Sequence, residues 1–214
     1  MDKPITIYGA PATGSVPIEA ALTLLDLPYA LVEGESDRRY DVTGPLNPLR
    51  QIPTLVLPGG EVMTESAAML IWLADRYPEG RLAPPPLHRR RAAYLRWMIF
   101  VSSAIYALAW VRNDPLRLVS DEAQSPLIQQ RIAERRVQCW RAMDEQINPG
   151  QYILGDELSV LDLYVTVISR WSPRRTAFYA AAPRMAEIVR RVDAEPRLAE
   201  FWTKRFPFTE GWED

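Results

Sequence analysis

The stretch Pro53-Thr54-Leu55-Val56-Leu57-Pro58-Gly59-Gly60-Glu61-Val62-Met63 consists of two short apolar runs joined by a turn. A turn of proline and glycine between two such runs is typical of a β-hairpin. In the segment that follows, residues 64–77, the apolar side chains recur at helical spacing until Pro78-Glu79-Gly80 interrupts them. This part of the sequence therefore predicts a β-β-α unit.

The residues that precede this unit predict a β-α-β unit. Ile5–Tyr8 alternates like a strand, and residues 17–27 have a helical period with Pro17 in the first turn. Tyr29–Val32 predicts a second short strand, and residues 33–50 are polar and irregular. Strands and helices that alternate in this way indicate a small α/β domain.

The chain changes character near residue 80. Pro84-Pro85-Pro86 cannot continue a helix and is typical of a stiff linker. Beyond it the pattern is helical, and Ser159-x-x-Asp162 has the form of a capping box. The predicted helices are residues 87–111, 125–147, 160–171, 185–192 and 197–204. We predict an α/β domain over residues 1–79, a proline-rich linker over 80–86 and an all-α domain over 87–214.

Composition excludes several classes of function. The chain of 214 residues has 25 Lys and Arg against 27 Asp and Glu, which argues against a general nucleic-acid or anionic-membrane binder. With one Cys and one His, neither a disulfide framework nor a structural metal site is expected. The uncharged segment 97–111 is shorter than the roughly 18–20 residues of a membrane span, which predicts a buried helix. No secretory signal follows Met1, so we expect a soluble, cytoplasmic protein.

Three small polar sites lie at the edges of the predicted elements of the first domain. They are Ala12-Thr13-Gly14-Ser15 before the first helix, Gln51-Ile52-Pro53 before the third strand, and Thr64-Glu65-Ser66 before the next helix. A helix N-terminus stabilises an anion, and the hydroxyls of Thr13 and Ser15 add donors there. Each site alone is equally compatible with a turn, an edge proline or a helix cap. Cys139 lies within a helical pattern, where a lone Cys is usually a small core residue.

Taken in order, these segments resemble the cytosolic-type glutathione S-transferases of bacteria. The similarity covers essentially the whole chain and is strongest in residues 7–22, 47–55, 62–66 and 159–162. It implies a thioredoxin-like N-terminal domain, with the order βαβ-ββα, followed by an all-helical C-terminal domain. It also implies a homodimer that uses glutathione as co-substrate and needs no metal, nucleic acid or membrane.

The resemblance also implies roles for individual residues. Pro53 matches the cis-proline of the family, and the backbone of Ile52 would pair with the cysteinyl part of glutathione. Glu65 and Ser66 match the pair that holds the γ-glutamyl end, and Gln51 takes a position that often contacts the glycyl end.

The resemblance implies an active-site loop of the serine/threonine type rather than the cysteine type. Gly14 stands where the cysteine-dependent branch has its cysteine, whereas Thr13 aligns with the serine of the serine-dependent branches. We therefore expect Thr13 to contact the glutathione thiol, with Ser15 as the second choice.

The electrophile is expected between the domains, against Tyr106, Trp110 and Trp171, which could equally be core or dimer packing. The function indicated is a transferase that ionises glutathione for attack on a small hydrophobic electrophile. The alternatives are glutathione-dependent disulfide reduction, ether or thioether cleavage, and a non-catalytic scaffold of the same fold.

Overall fold

The computed structural model describes residues 3–34 and 43–214. The N-terminal part contains four strands and two helices. The strands are β1 (Ile5–Tyr8), β2 (Tyr29–Val32), β3 (Thr54–Val56) and β4 (Val62–Met63), and the helices are α1 (Val16–Leu24) and α2 (Ser66–Arg76). Part of the segment 33–50, predicted to be irregular, and the first two residues lie outside the described range.

The four strands form one mixed sheet in the order β2-β1-β3-β4. β1 pairs in parallel with β2, with Ile5 opposite Tyr29, and antiparallel with β3, with Ile7 opposite Leu55. Ile5, Ile7 and Leu55 are buried, and helix α1 buries nearly its whole length. This arrangement, followed by an all-helical part, is the predicted thioredoxin-like fold with a helical C-terminal domain.

The C-terminal part contains seven α-helices within the described residues. These are α3 (Arg91–Phe100), α4 (Leu108–Asn113), α5 (Ser125–Gln146), α6 (Val160–Ile168), α7 (Arg174–Ala181), α8 (Pro183–Asp193) and α9 (Ala199–Arg205). Every residue of α6 is buried, so this helix is the centre of the domain. The capping box at its start is confirmed, because the backbone N–H and the hydroxyl of Ser159 both donate to Asp162 Oδ2, at 2.8 and 2.6 Å. Burial raises the pKa of Asp162 to about 6, although these hydrogen bonds oppose the shift.

The predicted helices differ from the observed ones in several places, and two of the differences have local reasons. Helix α1 ends at Leu24 rather than at residue 27, because Asp26 adopts the left-handed conformation, with φ 53°. The predicted helix 87–111 begins at Arg91, and a π-helical segment, Val101–Tyr106, separates α3 from α4. Helix α7 was not predicted at all, since its sequence has no clear apolar period.

The expectation that segment 97–111 forms a buried helix is only half right. By length and composition alone, Arg91–Asn113 is the one helix in the described residues that could cross a membrane. Trp97, Val101 and Ile105 face the core, but Ile99 and Trp110 are exposed, at 54% and 44%. The apolar residues of this segment therefore lie on two faces of the helix. The face with Trp97, Val101 and Ile105 packs against the described core, and the face with Ile99 and Trp110 is exposed.

Candidate functional site

The loop between β1 and α1 carries two hydroxyls that share one set of hydrogen bonds. Thr13 Oγ1 lies 2.7 Å from the Ala10 carbonyl oxygen and 3.1 Å from Ser15 Oγ. Ser15 Oγ accepts from the Ala10 N–H and can donate to the Ala10 carbonyl oxygen, both at 3.2 Å. Ser15 is completely buried, whereas Thr13 is half-buried and borders a cavity. Of the two residues predicted to contact a ligand, Thr13 is the one that a ligand can reach.

The hydroxyl hydrogens of this loop can be redistributed. Each hydroxyl has one hydrogen, and the Ala10 carbonyl oxygen is within reach of both. The Ala10 carbonyl oxygen and Glu19 compete for the hydrogen of Ser15, and when Ser15 donates to the Ala10 oxygen, the hydrogen of Thr13 can turn to a ligand in the cavity. Ser15 is thereby placed as a support for Thr13 rather than as a second contact.

A buried carboxylate stands behind the two hydroxyls. Glu19 is fully buried in α1, hydrogen-bonds Ser15 and forms an ion pair with Arg205, whose Nε lies 2.6 Å from Glu19 Oε2. The Arg205 guanidinium also pairs with Glu33 at 2.7 Å. Burial raises the pKa of Glu19, against the hydrogen bonds from Arg205 and Ser15. The sequence contained a signal for Glu19, which is a charged residue inside an otherwise apolar helical run.

The C-terminal domain holds the Thr13 loop from three sides. The Ala12 N–H donates to the Arg205 carbonyl oxygen at 3.0 Å, and the Trp171 indole N–H donates to the Ala12 carbonyl oxygen at 3.0 Å. On the third side, the Tyr106 ring lies against Gly14, where a Cβ would come within 2.1 Å of the Tyr106 hydroxyl oxygen. Because both ends of the helical domain contribute, the loop is fixed at the interface between the domains.

The second predicted site is a rigid turn before β3. The Ile52–Pro53 peptide bond is cis, as the resemblance implied. The Gln51 carbonyl oxygen accepts from Asn47 Nδ2 at 3.1 Å and from Thr54 Oγ1 at 2.9 Å. Asn47 and Thr54 are buried and fix this turn, which was not foreseen from their spacing.

The third predicted site, before α2, combines a strained backbone with a hydroxyl relay. Glu65 has φ 66°, a conformation that costs a non-glycine residue about 1–3 kcal/mol and occurs mainly at functional sites. The hydroxyl of buried Ser66 lies 2.7 Å from that of Tyr164, which also hydrogen-bonds Ser102. Burial raises the pKa of Tyr164 to about 12, so this hydroxyl keeps its hydrogen at neutral pH. When Tyr164 donates to Ser66, the hydrogen of Ser66 is left for a ligand.

Two adjoining cavities lie between the domains. The main cleft, of about 850 Å³, is lined by Gln51, Ile52 and Glu65 on one side and by Tyr106 and Trp110 on the other. The loop cavity, of about 370 Å³, is lined among others by Thr13, Ile52, Tyr106 and Trp171. Ile52 and Tyr106 border both cavities, so the two adjoin at these residues and together make up the interdomain space.

The structure thus brings seven of the ten predicted residues to this space. The remaining three, Ser15, Pro53 and Ser66, are buried directly behind it. Over residues 3–34 and 43–214, no group of three or more His, Cys, Asp or Glu is placed to hold a metal ion.

Comparison with known proteins identifies the family. A family model of the glutathione S-transferase N-terminal domain matches residues 16–82, and one of the C-terminal domain matches residues 119–205. The GST-like protein YncG of Escherichia coli is 30% identical over 200 residues, which span 92% of this chain and 96% of YncG. The chain belongs to the glutathione S-transferase family.

Other members of this family are similar over nearly the whole chain. A maleylacetoacetate isomerase of Pseudomonas aeruginosa is 26% identical over 202 residues, or 92% of this chain and 94% of that enzyme. Among solved structures, a glutathione transferase homologue from Sulfitobacter with bound glutathione superposes with a TM-score of 0.83. It is 23% identical and covers 95% of this chain and 99% of that one. The family and its fold are therefore shown, and the reaction is a separate question.

Proposed function

We propose that the protein is a glutathione transferase that binds glutathione between its domains, ionises the thiol beside Thr13 and presents it to an electrophile. The observation that carries the proposal is that the main cleft and the loop cavity adjoin at Ile52. Glu65 lines the first, Thr13 lines the second and Ile52 borders both, which is the order that would suit the γ-glutamyl end, the thiol and the cysteinyl backbone between them.

Each end of glutathione has a matching group in the cleft. The Glu65 carboxylate suits the ammonium of the γ-glutamyl residue, and the hydroxyl of Ser66 suits its carboxylate once Tyr164 donates to Ser66. The backbone of Ile52 pairs with the cysteinyl residue, and Gln51 borders the glycyl end. The strained backbone of Glu65 supports a binding role, because strain of that kind is kept where function requires the geometry.

The hydroxyl of Thr13 and the N-terminus of α1 together can account for ionisation of the thiol. A thiol of pKa about 8.5 is only ~3% ionised at pH 7, and lowering that pKa by ~2 units needs about 2.7 kcal/mol of preferential stabilisation. A hydrogen bond to a charged group gives about 1.5–3 kcal/mol, and the N-terminus of a helix gives 0.3–1 kcal/mol. Thr13 lies three residues before the first residue of α1, so both contributions act at the same place.

The electrophile binds against the side of the cavities that the helical domain forms. The rings of Tyr106 and Trp171 lie 5.1 Å apart beside the Thr13 loop, and Trp110 lines the main cleft. These aromatic faces favour a small hydrophobic or aromatic substrate. The thiolate attacks its electrophilic carbon, the carbon–sulfur bond forms, and the leaving group departs with the electron pair of the broken bond.

The test is a pH titration of the thiolate absorbance of glutathione bound to the protein. We expect a thiol pKa well below 8.5 in the wild-type protein, raised by about 1–2 units in Thr13→Val and restored in Thr13→Ser. Glu65→Ala is the matched control, because it weakens glutathione affinity by about 1–3 kcal/mol without moving the thiol pKa. An unshifted pKa in the wild-type protein would favour disulfide or other ligand chemistry, and absence of binding would favour a scaffold.

We further propose that the protein acts in the cytoplasm as a homodimer. The exposed apolar side chains of Leu95 and Ile99 on α3 give this helix a surface suited to a second copy of the chain. Sedimentation analysis of the wild-type protein would test this assembly.

A further inference from the structure

The loop cavity is strongly cationic, which the proposed chemistry with a hydrophobic electrophile does not require. Among the described residues, four arginines line it, namely Arg112, Arg136, Arg170 and Arg174, and no Asp or Glu does. In the part of the chain that the structure describes, none of these four forms a salt bridge with a carboxylate.

Arg136 is the deepest of these cations. It is 2% exposed and lies on the core face of α5, one turn from the buried Ile132 and Trp140. Its Nε donates to the Ile105 carbonyl oxygen at 3.2 Å and its Nη1 to that of Ser172 at 2.8 Å. Its Nη2 is buried and has no hydrogen-bond partner within the described ranges.

Two neighbouring arginines add donors of the same kind. The Nε atoms of Arg112 and Arg170 are also buried without a partner among the described residues. Burial, together with the charge of Arg112, lowers the pKa of Arg136 to about 10. Burial likewise lowers the pKa of Arg170 to about 10. Because buried charges are normally paired and hydrogen-bonded, these buried cations with unused donors are suited to an anionic ligand.

The geometry points to an electrophile that carries a carboxylate, held by Arg136 and Arg112 in the loop cavity while its reactive carbon faces the thiol beside Thr13. This inference rests on the proposed function and names the class of its second substrate as aromatic or unsaturated acids. Tyr106 and Trp171, which line the same cavity side by side, would offer their ring surfaces to the apolar part of such an acid.

The anion belongs to the second substrate rather than to glutathione. Both carboxylates of glutathione are assigned to the main cleft, one near Ser66 and the other near Gln51. Neither of these residues lines the loop cavity, whereas Thr13 does. The arginines therefore lie on the far side of the thiol from the body of glutathione.

The test compares a chlorodinitrobenzoate with its methyl ester, which differ in charge at one position of the same ring. With either compound the thiolate of glutathione bonds to the ring carbon that carries chlorine. Chloride leaves with the electron pair of the broken bond, and the thiol proton passes to solvent. The readout is the ratio of kcat/KM for the acid to that for the ester, each divided by its uncatalysed rate.

We expect the acid to be preferred, and the ratio to fall by roughly 10- to 100-fold in Arg136→Met and in Arg112→Gln. Arg112→Gln keeps the proposal testable if Arg136→Met fails to fold, since within the described residues the Arg112 side chain makes no hydrogen bond that holds the fold together. Arg135→Gln is the matched control, because it removes the same charge from an exposed neighbour on α5 that does not line the loop cavity.

Binding without turnover separates this inference from the proposed function. Quenching of the tryptophan fluorescence of the protein by the acid, without glutathione, should weaken in the Arg112 and Arg136 variants even if no conjugation occurs. Equal ratios in wild-type and variant proteins would overturn the carboxylate site and leave the transferase proposal intact. An increase in the KM for glutathione with an unchanged ratio would also overturn it, because the arginines would then serve glutathione itself.

Discussion

Replacing Gly14 by alanine tests how the helical domain closes over the active-site loop. The added Cβ would lie 2.1 Å from the Tyr106 hydroxyl oxygen and 2.8 Å from two carbons of its ring. Ordinary contacts begin near 3.4 Å, so the ring has to retreat by roughly 1 Å. The φ angle of Gly14 lies outside the left-handed region, so alanine brings no backbone strain and the whole effect comes from Tyr106.

We expect Gly14→Ala to destabilise the protein by about 1–3 kcal/mol, the usual effect of overpacking. In a chain of this size that corresponds to a fall of roughly 2–12 °C in Tm. The activity should fall as well, because Tyr106 borders both the loop cavity and the main cleft. Thermal unfolding and kcat/KM for conjugation are the two measurements.

The control is Gly59→Ala, since a Cβ at Gly59 meets nothing within 4 Å and its φ is also outside the left-handed region. The double variant Gly14→Ala/Tyr106→Ala should be less destabilised than the sum of its single variants, because removing the ring removes the collision. If Gly14→Ala unfolds at the same temperature as Gly59→Ala, Tyr106 does not lie over the loop and the described cleft is wrong.

Two further predictions concern buried polar groups. Asp162→Asn should lower the free energy of unfolding by about 1–3 kcal/mol in urea titrations. Asp162 accepts from the N–H of Ile153 with one oxygen and from the N–H and the hydroxyl of Ser159 with the other. Asparagine has only one acceptor oxygen, so a buried donor is left unpaired. An unchanged stability would contradict the role of this cap. Cys139→Ser should leave kcat/KM unchanged, and the thiol of the native protein should resist iodoacetamide. The reason is that the thiol is buried, contacts the Ala104 carbonyl oxygen at 3.7 Å and has its pKa raised by burial. A folded but inactive Cys139→Ser would show that the thiol takes part in the reaction.

Elements with strong local signals could be predicted from the sequence. β1 and β2 have the predicted bounds, since alternating apolar residues and adjacent turns define them without help from distant parts of the chain. Helix α7 lacked such a signal. Its Arg175 is fully buried and donates to the Thr166 carbonyl oxygen and to Asp193, so tertiary contacts stabilise this helix.

The same distinction applies to the site. Thr13, Ile52 and Glu65 were located because they lie in short segments that resemble those of a known family. Glu19 and Arg136 were not, because their partners are remote in sequence. Arg205 is 186 residues from Glu19, and Arg136 donates to carbonyl oxygens 31 and 36 residues away. A charged residue at a core position of a helix was the available signal, and it does not indicate which partner it will meet.

The hydrogen bonds of Ala12 with Arg205 and Trp171 tie the active-site loop to the helical domain, so the parts of the gene that encode the two domains must evolve together. A recombination at the proline run Pro84-Pro85-Pro86 would exchange the helical half as a block. The Thr13 loop would then hydrogen-bond to the residues of another protein that stand in place of Arg205 and Trp171. Chimeras of this family should therefore fold more often than they catalyse. The thiol chemistry of the N-terminal domain should be retained only when the helical domain that supplies Arg205 and Trp171 is inherited with it.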